Sequence, residues 1–504
     1  MVLLLLGLAG CSKGPTDSDG DGLSDIREGE LGTDPHQRDT DHDGLDDGVD
    51  PAPLVAREAG SIATFLLSDT GVSGPEPSVG ITSSGCIFFM ALEKVMRSCN
   101  HGASWDNSAS PVQAPVTSGA YLWVDPVTDR IFDIQAVQTQ GTWIAWSDDD
   151  GATWLANPLD FGTVPDIDHL KLATGPWTPA GFGQLATLTK NVYSQAAYVC
   201  HDTPITGTAM GSVHCYTSFD GGMTFPVGAT AIGTVEQAGG PHGAISPAPD
   251  GTIYLPPRTA VPEVAVSHDN GFSWSTVQLG QDVGTPDPRT NPEVGTDTAS
   301  NAYSTWIGKD SGVYLSRSTD GGATWDAKSL RVSPATLISA TFPQIQAGDP
   351  GRVAIAYLGS NDASSLNQRN IDNQPWDGNP HYAPENVTYD LYVSFSLDAL
   401  DAAPTWHTVK LTTDPVQVGS ICLNAGDCRT DPAGTTNRNL LDFNDLSLDR
   451  DGRVYIAFAD GCRNECAKDS TPEAHDSRDA RGMVAIQQTG PSLYAAKGNL
   501  TAFT

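Results

Sequence analysis

Basic side chains are scarce in this sequence. Its 504 residues include 27 Lys and Arg against 61 Asp and Glu, which gives a formal net charge of −34 at pH 7. Such a chain repels phosphate backbones, so the composition argues against nucleic-acid binding and favours cations as counterparts. Charged residues make up only 17% of the chain, which excludes a coiled coil or a helical bundle, since those folds need far more Glu, Lys and Leu.

Turn-forming and aromatic residues are abundant instead. The chain contains 52 Gly, 35 Pro, 11 Trp, 13 Tyr and 14 Phe. The aromatic side chains can form a sizeable core, which excludes wholesale disorder. The composition therefore predicts an all-β protein of many short strands joined by turns that contain Gly and Pro.

The beginning of the chain has the features of an export signal. Residues 2–9 are nearly all apolar, a run too short to span a bilayer but suited to the apolar part of a signal peptide. The following Cys11 completes the sequence Leu-Ala-Gly-Cys, which resembles the lipobox of bacterial lipoproteins, although no Lys or Arg precedes the apolar run. The resemblance implies export, lipidation of Cys11 and anchoring to a bacterial membrane or cell surface. Ser12 after the cysteine favours the outer membrane.

Eight further cysteines fall into four neighbouring pairs. An exported chain meets an oxidising compartment, where disulfides are expected. Eight cysteines allow 105 connectivities, and we predict sequential pairing because each pair then spans a short hairpin or loop. A zinc site is the alternative, but neither a CxxC motif nor a His-rich spacing supports it. The predicted disulfides are Cys86–Cys99, Cys200–Cys215, Cys422–Cys428 and Cys462–Cys466.

The segment from Asp17 to Asp50 is strongly acidic, with 13 acidic residues and two arginines. An acidic run is often a solvated or disordered face. Here the spacing matches an EF-hand-type loop, which takes oxygen ligands from positions 1, 3, 5, 7, 9 and 12 and has Gly at position 6. The match occurs twice, 22 residues apart.

Together with the sequence LGTDP at residues 31–35, the two loops resemble thrombospondin type 3 calcium repeats. The resemblance implies that Ca²⁺ is bound and that the segment is a metal-stiffened spacer rather than a calmodulin-like sensor. The predicted ligands are Asp17, Asp19, Asp21, Leu23 (through its carbonyl), Asp25 and Glu28 in the first loop, and Asp39, Asp41, Asp43, Leu45, Asp47 and Asp50 in the second.

A pattern Ser-x-Asp-x-Gly-x-Thr/Ser-Trp/Phe recurs along the rest of the chain. Its copies are Ser98–Trp105 (with Asn100 in place of Asp), Ser147–Trp154, Ser218–Phe225, Ser267–Trp274, Ser318–Trp325 and a decayed copy at Ser396–Asp398. The pattern resembles the Asp box, or bacterial neuraminidase repeat, of sialidase-like β-propellers. In that family the Asp and Gly form a turn between the outer two strands of a blade, which implies a structural role rather than a catalytic one.

A second repeat, an apolar strand followed by a turn and another strand, predicts where the blades begin. Its copies start near Val79, Val116, Leu170, Ile245, Val294, Ile345 and Leu446. We therefore predict a seven-bladed β-propeller, with six blades as the alternative, closed by residues 61–67 beside residues 483–488. The predicted organisation is a signal peptide at 1–10, a spacer at 11–57 and a propeller at 58–504, in a monomer.

The sequence does not carry the catalytic motifs of sialidases. The family resemblance implies three arginines that clamp the substrate carboxylate, the first of them in an Arg-Ile-Pro-type motif that opens the first blade. Residues 74–85 occupy that place and contain no arginine. No motif assigns the other candidates to a clamp, namely Arg258, Arg289, Arg317, Arg352, Arg438 and Arg453. We therefore assign no catalytic residue, and whether the chain is an enzyme stays open.

The residues that lead into the innermost strands of a propeller surround one face of its central channel. The predicted ligand site there comprises Glu76, Asp166, Asp168, His169, His242, Glu293, Gln344, Arg438, Asp442 and Asp445. This mostly anionic set suits a cation or sugar hydroxyls better than a sialic-acid carboxylate, whereas each residue could instead cap a strand or form a buried hydrogen bond. Two functions follow: a module that binds glycans or other extracellular ligands, or a glycoside hydrolase of exo-α-sialidase type, for which paired carboxylates could serve.

Overall fold

A computed structural model describes most of the chain as two compact units. The N-terminal unit ends at residue 61, and the C-terminal unit is Ile62–Phe503. The described residues are 16–21, 24–38, 40, 47, 62–92, 94–108, 110, 119–137, 141–159, 168–185, 192–202, 212–233, 242–259, 261–280, 291–362, 387–419, 421, 438–463, 466 and 480–503. Within these ranges the α-helices are Asp25–Leu31 (α1) and Pro179–Leu185 (α2), and no helix is both long and apolar enough to cross a membrane.

The C-terminal unit consists of seven antiparallel sheets, in six of which the strands follow each other in chain order. The first strand, β1 (Thr64–Ser73), belongs to the last sheet. The first sheet contains β2 (Pro77–Ile81), β3 (Ile87–Ala91), β4 (Lys94–Ser98) and β5 (Asp106–Asn107), and the second contains β6 (Gly119–Val124), β7 (Ile131–Val137), β8 (Gly141–Ser147) and β9 (Leu155–Leu159). The third sheet contains β10 (Asp168–Gly175), β11 (Ala196–Asp202), β12 (Val213–Ser218) and β13 (Val227–Ile232). The fourth contains β14 (Ser246–Pro247), β15 (Ile253–Leu255), β16 (Glu263–Ser267) and β17 (Ser275–Gln278).

The remaining three sheets complete a ring. The fifth sheet contains β18 (Glu293–Thr296), β19 (Ala302–Ile307), β20 (Val313–Ser318) and β21 (Leu330–Arg331). The sixth contains β22 (Ser339–Ala347), β23 (Val353–Ser360), β24 (Thr388–Ser396), β25 (His407–Lys410) and β26 (Gln417–Val418). The seventh contains β27 (Asp445–Leu448), β28 (Val454–Asp460), β29 (Arg481–Pro491), β30 (Asn499–Leu500) and β1. A 3₁₀-helix, Ala495–Lys497, precedes β30. The first strand of each sheet contacts the first strands of the two neighbouring sheets, and β27 contacts β2.

This arrangement is a seven-bladed β-propeller, which confirms the predicted fold class and decides between seven and six blades. Strand β1 closes the ring by pairing with β29, with Leu66 opposite Ile486 and Leu67 opposite Ala485. The closing strand is longer than the predicted segment, since it continues to Ser73. Its pairing covers the edge that the last blade would otherwise expose.

The hydrophobic core is divided among the seven junctions between neighbouring blades. Each junction contains its own cluster of buried apolar residues, with members from both blades. A strand such as β3 (Ile87–Ala91) is buried at every position because both faces of its blade pack against another blade. This packing explains why such strands have continuous apolar sequences rather than alternating ones.

The recurrent Ser-x-Asp-x-Gly pattern forms the turn after the third strand of blades one to six. In the fifth blade, Ser318 Oγ donates to Asp320 Oδ1 at 2.9 Å, and Gly322 N donates to Ser318 Oγ at 3.0 Å. Thr324 donates to both carboxylate oxygens, from N at 2.9 Å and from Oγ1 at 2.6 Å. These hydrogen bonds, those of Thr324 above all, lower the pKa of the exposed Asp320 carboxyl. The carboxylate thus has a structural role in the turn.

The glycine of this pattern permits a close approach between blades. Gly222 has φ of 87°, and a Cβ atom there would lie 2.5 Å from Cε1 of Phe132 in the preceding blade. Both the left-handed conformation and the missing side chain are therefore required.

Three arginines from the sequence analysis brace the ring. Arg317 donates to the carbonyl of Ala399 in the next blade at 2.6 Å, and Arg352 donates to the carbonyl of Ser492 at 2.6 Å. Arg453 is buried and donates to the carbonyl of Gln487 at 2.5 Å. These side chains are structural.

Three of the four predicted disulfides are present. Cys86–Cys99 joins the outer ends of the β3–β4 hairpin, and Cys200–Cys215 joins directly opposed residues of β11 and β12. Cys462–Cys466 closes a short loop after β28. The fourth pair, Cys422–Cys428, lies outside the described residues, as does Cys11.

Candidate functional site

The first strands of the seven blades surround a central channel with a cavity of about 470 Å³. The beginnings of these strands meet at one end, which we name the polar end. It comprises Glu76, His169, Lys171, His242, Glu293, Gln344, Arg438, Asp442 and Asp445. Eight of these nine residues were predicted. The other two predicted members are not described: Asp166 lies outside the described residues, and so does the side chain of Asp168.

Lys171 is the member that the sequence analysis missed. It lies on β10 and is only 2% exposed. Its Nζ atom is 3.1 Å from the ring centroid of Phe443 and 4.6 Å from that of Tyr121, both within the range of a cation–π contact. Burial lowers the pKa of Lys171 to about 8, while Glu293 and Asp445 oppose this shift. The predicted, mostly anionic set of side chains thus also contains a lysine among its carboxylates.

Glu293 and Asp445 are buried carboxyl groups that connect neighbouring blades. Glu293 accepts hydrogen bonds from Ala244 N at 2.7 Å and from Gln344 Nε2 at 3.3 Å. Asp445 accepts one from Val79 N at 2.9 Å. Burial raises the pKa of both carboxyl groups to about 7. Both acids thus form the buried hydrogen bonds that the sequence analysis gave as the alternative to ligand binding.

A second group of polar side chains lies beside them. Arg438 binds both carboxylate oxygens of Asp442, at 2.7 and 2.8 Å. His169 Nε2 is 4.0 Å from Asp442 Oδ2, and one potential ligand atom each from Glu76, His169 and Asp442 lie within 4.8 Å of one another.

The backbone of this group is strained. Glu76 and His169 have φ of 50° and 56°, and Leu441, next to Asp442, has φ of 56°. A left-handed conformation at such residues costs on the order of 1–3 kcal/mol each and is found preferentially at functional sites.

His242 lies next to His169, with ring centroids 6.1 Å apart. It is completely buried, and its Nδ1 donates to the carbonyl of Gly243 at 2.8 Å. Since Nδ1 carries the proton, Nε2 is an acceptor, and it has no hydrogen-bond partner among the described residues. Burial lowers the pKa of His242 to about 3 and that of His169 well below its usual value, so both rings are neutral near pH 7.

The opposite end of the channel has a different character. It is lined by apolar side chains such as Ile81, Val124 and Leu448 and by polar ones such as Gln195 and Asp297. Most residues that line the cavity lie towards this end, and Glu293, Gln344 and Asp445 of the polar end line it as well.

The described arginines do not form a three-arginine clamp at the polar end. Arg438 is engaged with Asp442, and Arg258 lies near enough to His169 to lower the pKa of that ring. Arg317, Arg352 and Arg453 brace other parts of the ring, as described above, and Arg289 lies outside the described residues.

The N-terminal unit contains the second candidate site, and helix α1 positions part of it. Ser24 caps the helix by accepting from Arg27 N at 3.4 Å, and the helix ends at Gly32, whose φ is 87°. Glu28 in this helix is 0% exposed, and neither of its carboxylate oxygens has a hydrogen-bond partner among the described residues. Burial raises the pKa of Glu28, and four aspartates add to the shift.

The predicted calcium ligands of the first loop converge. Carboxylate oxygens of Asp17, Asp19 and Asp21 lie within 4.8 Å of one another, and so do those of Asp21, Glu28 and Asp47. Asp47 comes from the second predicted loop, so the two loops meet at one cluster of acids. Leu23 of the first loop lies outside the described residues. So do the other predicted ligands of the second loop, which are Asp39, Asp41, Asp43, Leu45 and Asp50.

The aspartate at position 9 accepts the same pair of hydrogen bonds in both predicted calcium loops. Asp25 accepts hydrogen bonds from N and Oγ of Ser18, both at 2.8 Å. Asp47 accepts from N of Thr40 at 2.8 Å and from its Oγ1 at 2.5 Å. Each of these aspartates thus also closes its own loop.

Comparison with known proteins yields structural similarity alone. No protein-family profile matches the chain, and no curated protein matches it. Among solved structures, a protein of unknown function from Dyadobacter fermentans is 12% identical, with 86% of this chain and 98% of that chain covered and a TM-score of 0.42. A six-bladed fucose-binding lectin from Aleuria aurantia is 10% identical, with 70% and 98% covered and a TM-score of 0.38. A Hadza microbial sialidase is 13% identical, with 77% and 64% covered and a TM-score of 0.36. Similarities this low carry no functional argument.

Proposed function

We propose that this chain is an exported lipoprotein whose propeller binds a neutral extracellular glycan at the polar end and does not hydrolyse it. The supporting observation is that acidic and basic side chains lie together at the polar end. Lys171 faces Glu293 and Asp445, and Arg438 is bound to Asp442. Such a mixture of donors and acceptors suits sugar hydroxyls, whereas a sialic-acid carboxylate needs uncommitted arginines.

The N-terminal segment has a separate part in this proposal. Lipidation of Cys11 would anchor the protein to the membrane, and Ca²⁺ bound by residues 17–50 would stiffen the spacer that carries the propeller. The converging oxygens of Asp17, Asp19 and Asp21 and the buried Glu28 support calcium binding, because Ca²⁺ prefers six to eight oxygen ligands. The recurrent turns support membership of the sialidase-like, Asp-box group of propellers.

A glycoside hydrolase is the second candidate function. It is favoured by one observation: two buried carboxyl groups, Glu293 and Asp445, have pKa values of about 7 and lie near the same lysine. Groups that titrate near neutral pH can act as general acid and base.

Two measurements on the full chain with Ca²⁺ present distinguish these functions. The first is binding to arrayed neutral and sialylated glycans, and the second is release of a fluorogenic sialic-acid reporter. We expect neutral glycans to bind, Asp442→Asn to weaken that binding at least about tenfold through a lost hydrogen-bond partner, and the reporter to stay intact. Asp106→Asn, an exposed carboxylate on β5, is the matched control and should bind as the wild type does. Turnover of the reporter that is abolished by Arg438→Ala would overturn the binding proposal and establish a hydrolase.

A further inference from the structure

We infer that Glu76, His169 and Asp442 form a binding site for a transition-metal ion of the Zn²⁺ class at the polar end of the channel. This site goes beyond the proposed glycan binding and does not depend on it. It is also distinct in chemistry from the spacer cluster, because a histidine nitrogen takes part. Calcium takes oxygen ligands, whereas imidazole combined with carboxylates suits zinc and its neighbours.

The three potential ligand atoms are closely spaced. All lie within 4.8 Å of one another, and His169 Nε2 is 4.0 Å from Asp442 Oδ2. That separation is too long for a hydrogen bond. Two ligands of a tetrahedral zinc ion lie about 3.3–3.6 Å apart, since Zn–N and Zn–O distances are each about 2.0–2.2 Å, so a bound ion would draw His169 and Asp442 slightly closer together.

Two of the proposed ligands are held in place by their surroundings. Arg438 holds Asp442 through two hydrogen bonds, which fixes the carboxylate orientation and leaves further lone pairs on its oxygens. His169 is buried, and an imidazole nitrogen that carries no proton can donate a lone pair to a metal. Outer contacts of this kind orient the ligands in known metal sites.

A histidine outside the three-residue cluster also has an acceptor atom without a donor. His242, whose ring centroid is 6.1 Å from that of His169, has a buried Nε2 acceptor with no hydrogen-bond donor among the described residues. Its Nδ1 is bound to a backbone carbonyl, the arrangement that prepares an imidazole to face a metal or a metal-bound water. The lone pair of His242 therefore lies without a donor in the histidine that neighbours the cluster.

The nearby positive charges are compatible with a cation. The ammonium group of Lys171 contacts the rings of Phe443 and Tyr121. Arg438 is paired with Asp442. Three protein ligands leave a fourth position of a tetrahedral zinc ion open, and a hydroxyl of a bound molecule could occupy it.

The test uses Co²⁺ as a spectroscopic substitute for Zn²⁺, added to the full chain in excess Ca²⁺ so that the spacer is saturated. We expect one Co²⁺ per chain, with a visible absorption band typical of a four- or five-coordinate ion, and displacement of Co²⁺ by Zn²⁺. Glu76→Gln and Asp442→Asn should each weaken Co²⁺ binding at least about tenfold. Glu76 is partly exposed and the change preserves its shape, so this variant is expected to fold.

Two controls make the result decisive. His214→Gln alters a half-buried histidine on β12 outside the cluster and should leave Co²⁺ affinity unchanged. Glu28→Gln in the spacer should also leave it unchanged. Absence of Co²⁺ and Zn²⁺ binding at micromolar concentration, or wild-type affinity in both Glu76→Gln and Asp442→Asn, would overturn the inference. Glycan binding measured without added transition metal reports separately on the proposed function.

Discussion

Two buried glutamates in this chain have opposite surroundings. Glu293 in the channel is 3% exposed, and Glu28 in the spacer is 0% exposed. Glu293 accepts hydrogen bonds from Ala244 and Gln344 and lies near Lys171. Glu28 has no hydrogen-bond partner among the described residues, and the side chains that act on its pKa are all aspartates.

The difference shows two ways to keep a carboxylate inside a protein. In the channel, Lys171 counteracts the effect of burial on the pKa of Glu293, so the protein supplies the compensating charge itself. In the spacer, burial and neighbouring acids shift the pKa of Glu28 in the same direction. A buried charge without a partner is strongly unfavourable. The proposed Ca²⁺ would supply the positive partner of Glu28, whereas Lys171 already lies near Glu293.

The largest effect is expected when the internal cation of the channel, Lys171, is removed. Lys171→Met leaves Glu293 and Asp445 without their common positive partner in a buried site. We expect a loss of about 3–5 kcal/mol in the free energy of unfolding, measured by urea denaturation at pH 7.5. The triple variant with Glu293→Gln and Asp445→Asn as well should regain most of this loss. A loss below about 1 kcal/mol for Lys171→Met would show that the lysine does not compensate the two acids.

The second prediction removes the external cation. Chelation of Ca²⁺ should greatly increase proteolytic cleavage within residues 17–50 and leave the propeller folded, since its cores and disulfides lie outside that segment. Glu28→Gln should weaken Ca²⁺ binding at least about tenfold because a calcium loop takes its closing bidentate ligand at position 12. Asp34→Asn, which changes an exposed acid of the same segment that is not a predicted ligand, is the control. Equal cleavage with and without chelator would contradict the calcium assignment.

Much of this comparison could be predicted from the sequence, and the missing part has a physical cause. Repeats reveal architecture because each blade needs the same turn and the same apolar strand, which is why seven strand beginnings predicted seven blades. The acids of the polar end could be predicted because they precede the inner strands. Lys171 was missed because it lies within β10, between Leu170 and Leu172, where a charged side chain is not expected. Its partners come from other blades, and no local pattern in the sequence shows such contacts.

A third buried acid provides an intermediate case. Asp133 on β7 is 0% exposed and accepts hydrogen bonds from Ser110 and Gln135, and burial raises its pKa to about 6. The folded state therefore retains a proton that the unfolded chain releases near pH 4, so stability should fall as pH rises from about 4 to about 6. We expect the unfolding free energy of Asp133→Asn, relative to wild type, to increase by about 1–2 kcal/mol between pH 4.5 and 6.5. A pH-independent difference would mean that Asp133 is already ionised in the folded protein at pH 4.5.

The smallest expected effect concerns a carboxylate that needs no cation at all. Asn100 replaces the usual aspartate in the first copy of the recurrent turn, where its Oδ1 accepts from Ser98 Oγ at 2.8 Å and from Ser104 N at 3.0 Å. Asn100→Asp would allow Ser104 Oγ to donate to the second oxygen, as Thr324 does to Asp320 in the fifth blade. Since the site is exposed, water solvates the new charge and desolvation adds little. We expect a change within about 0.5 kcal/mol in urea denaturation at pH 7, tending towards stabilisation. A loss above about 1 kcal/mol would show that even an exposed, hydrogen-bonded carboxylate is unfavourable in this strongly anionic chain, and that the repulsion acts over the whole protein rather than at buried sites alone.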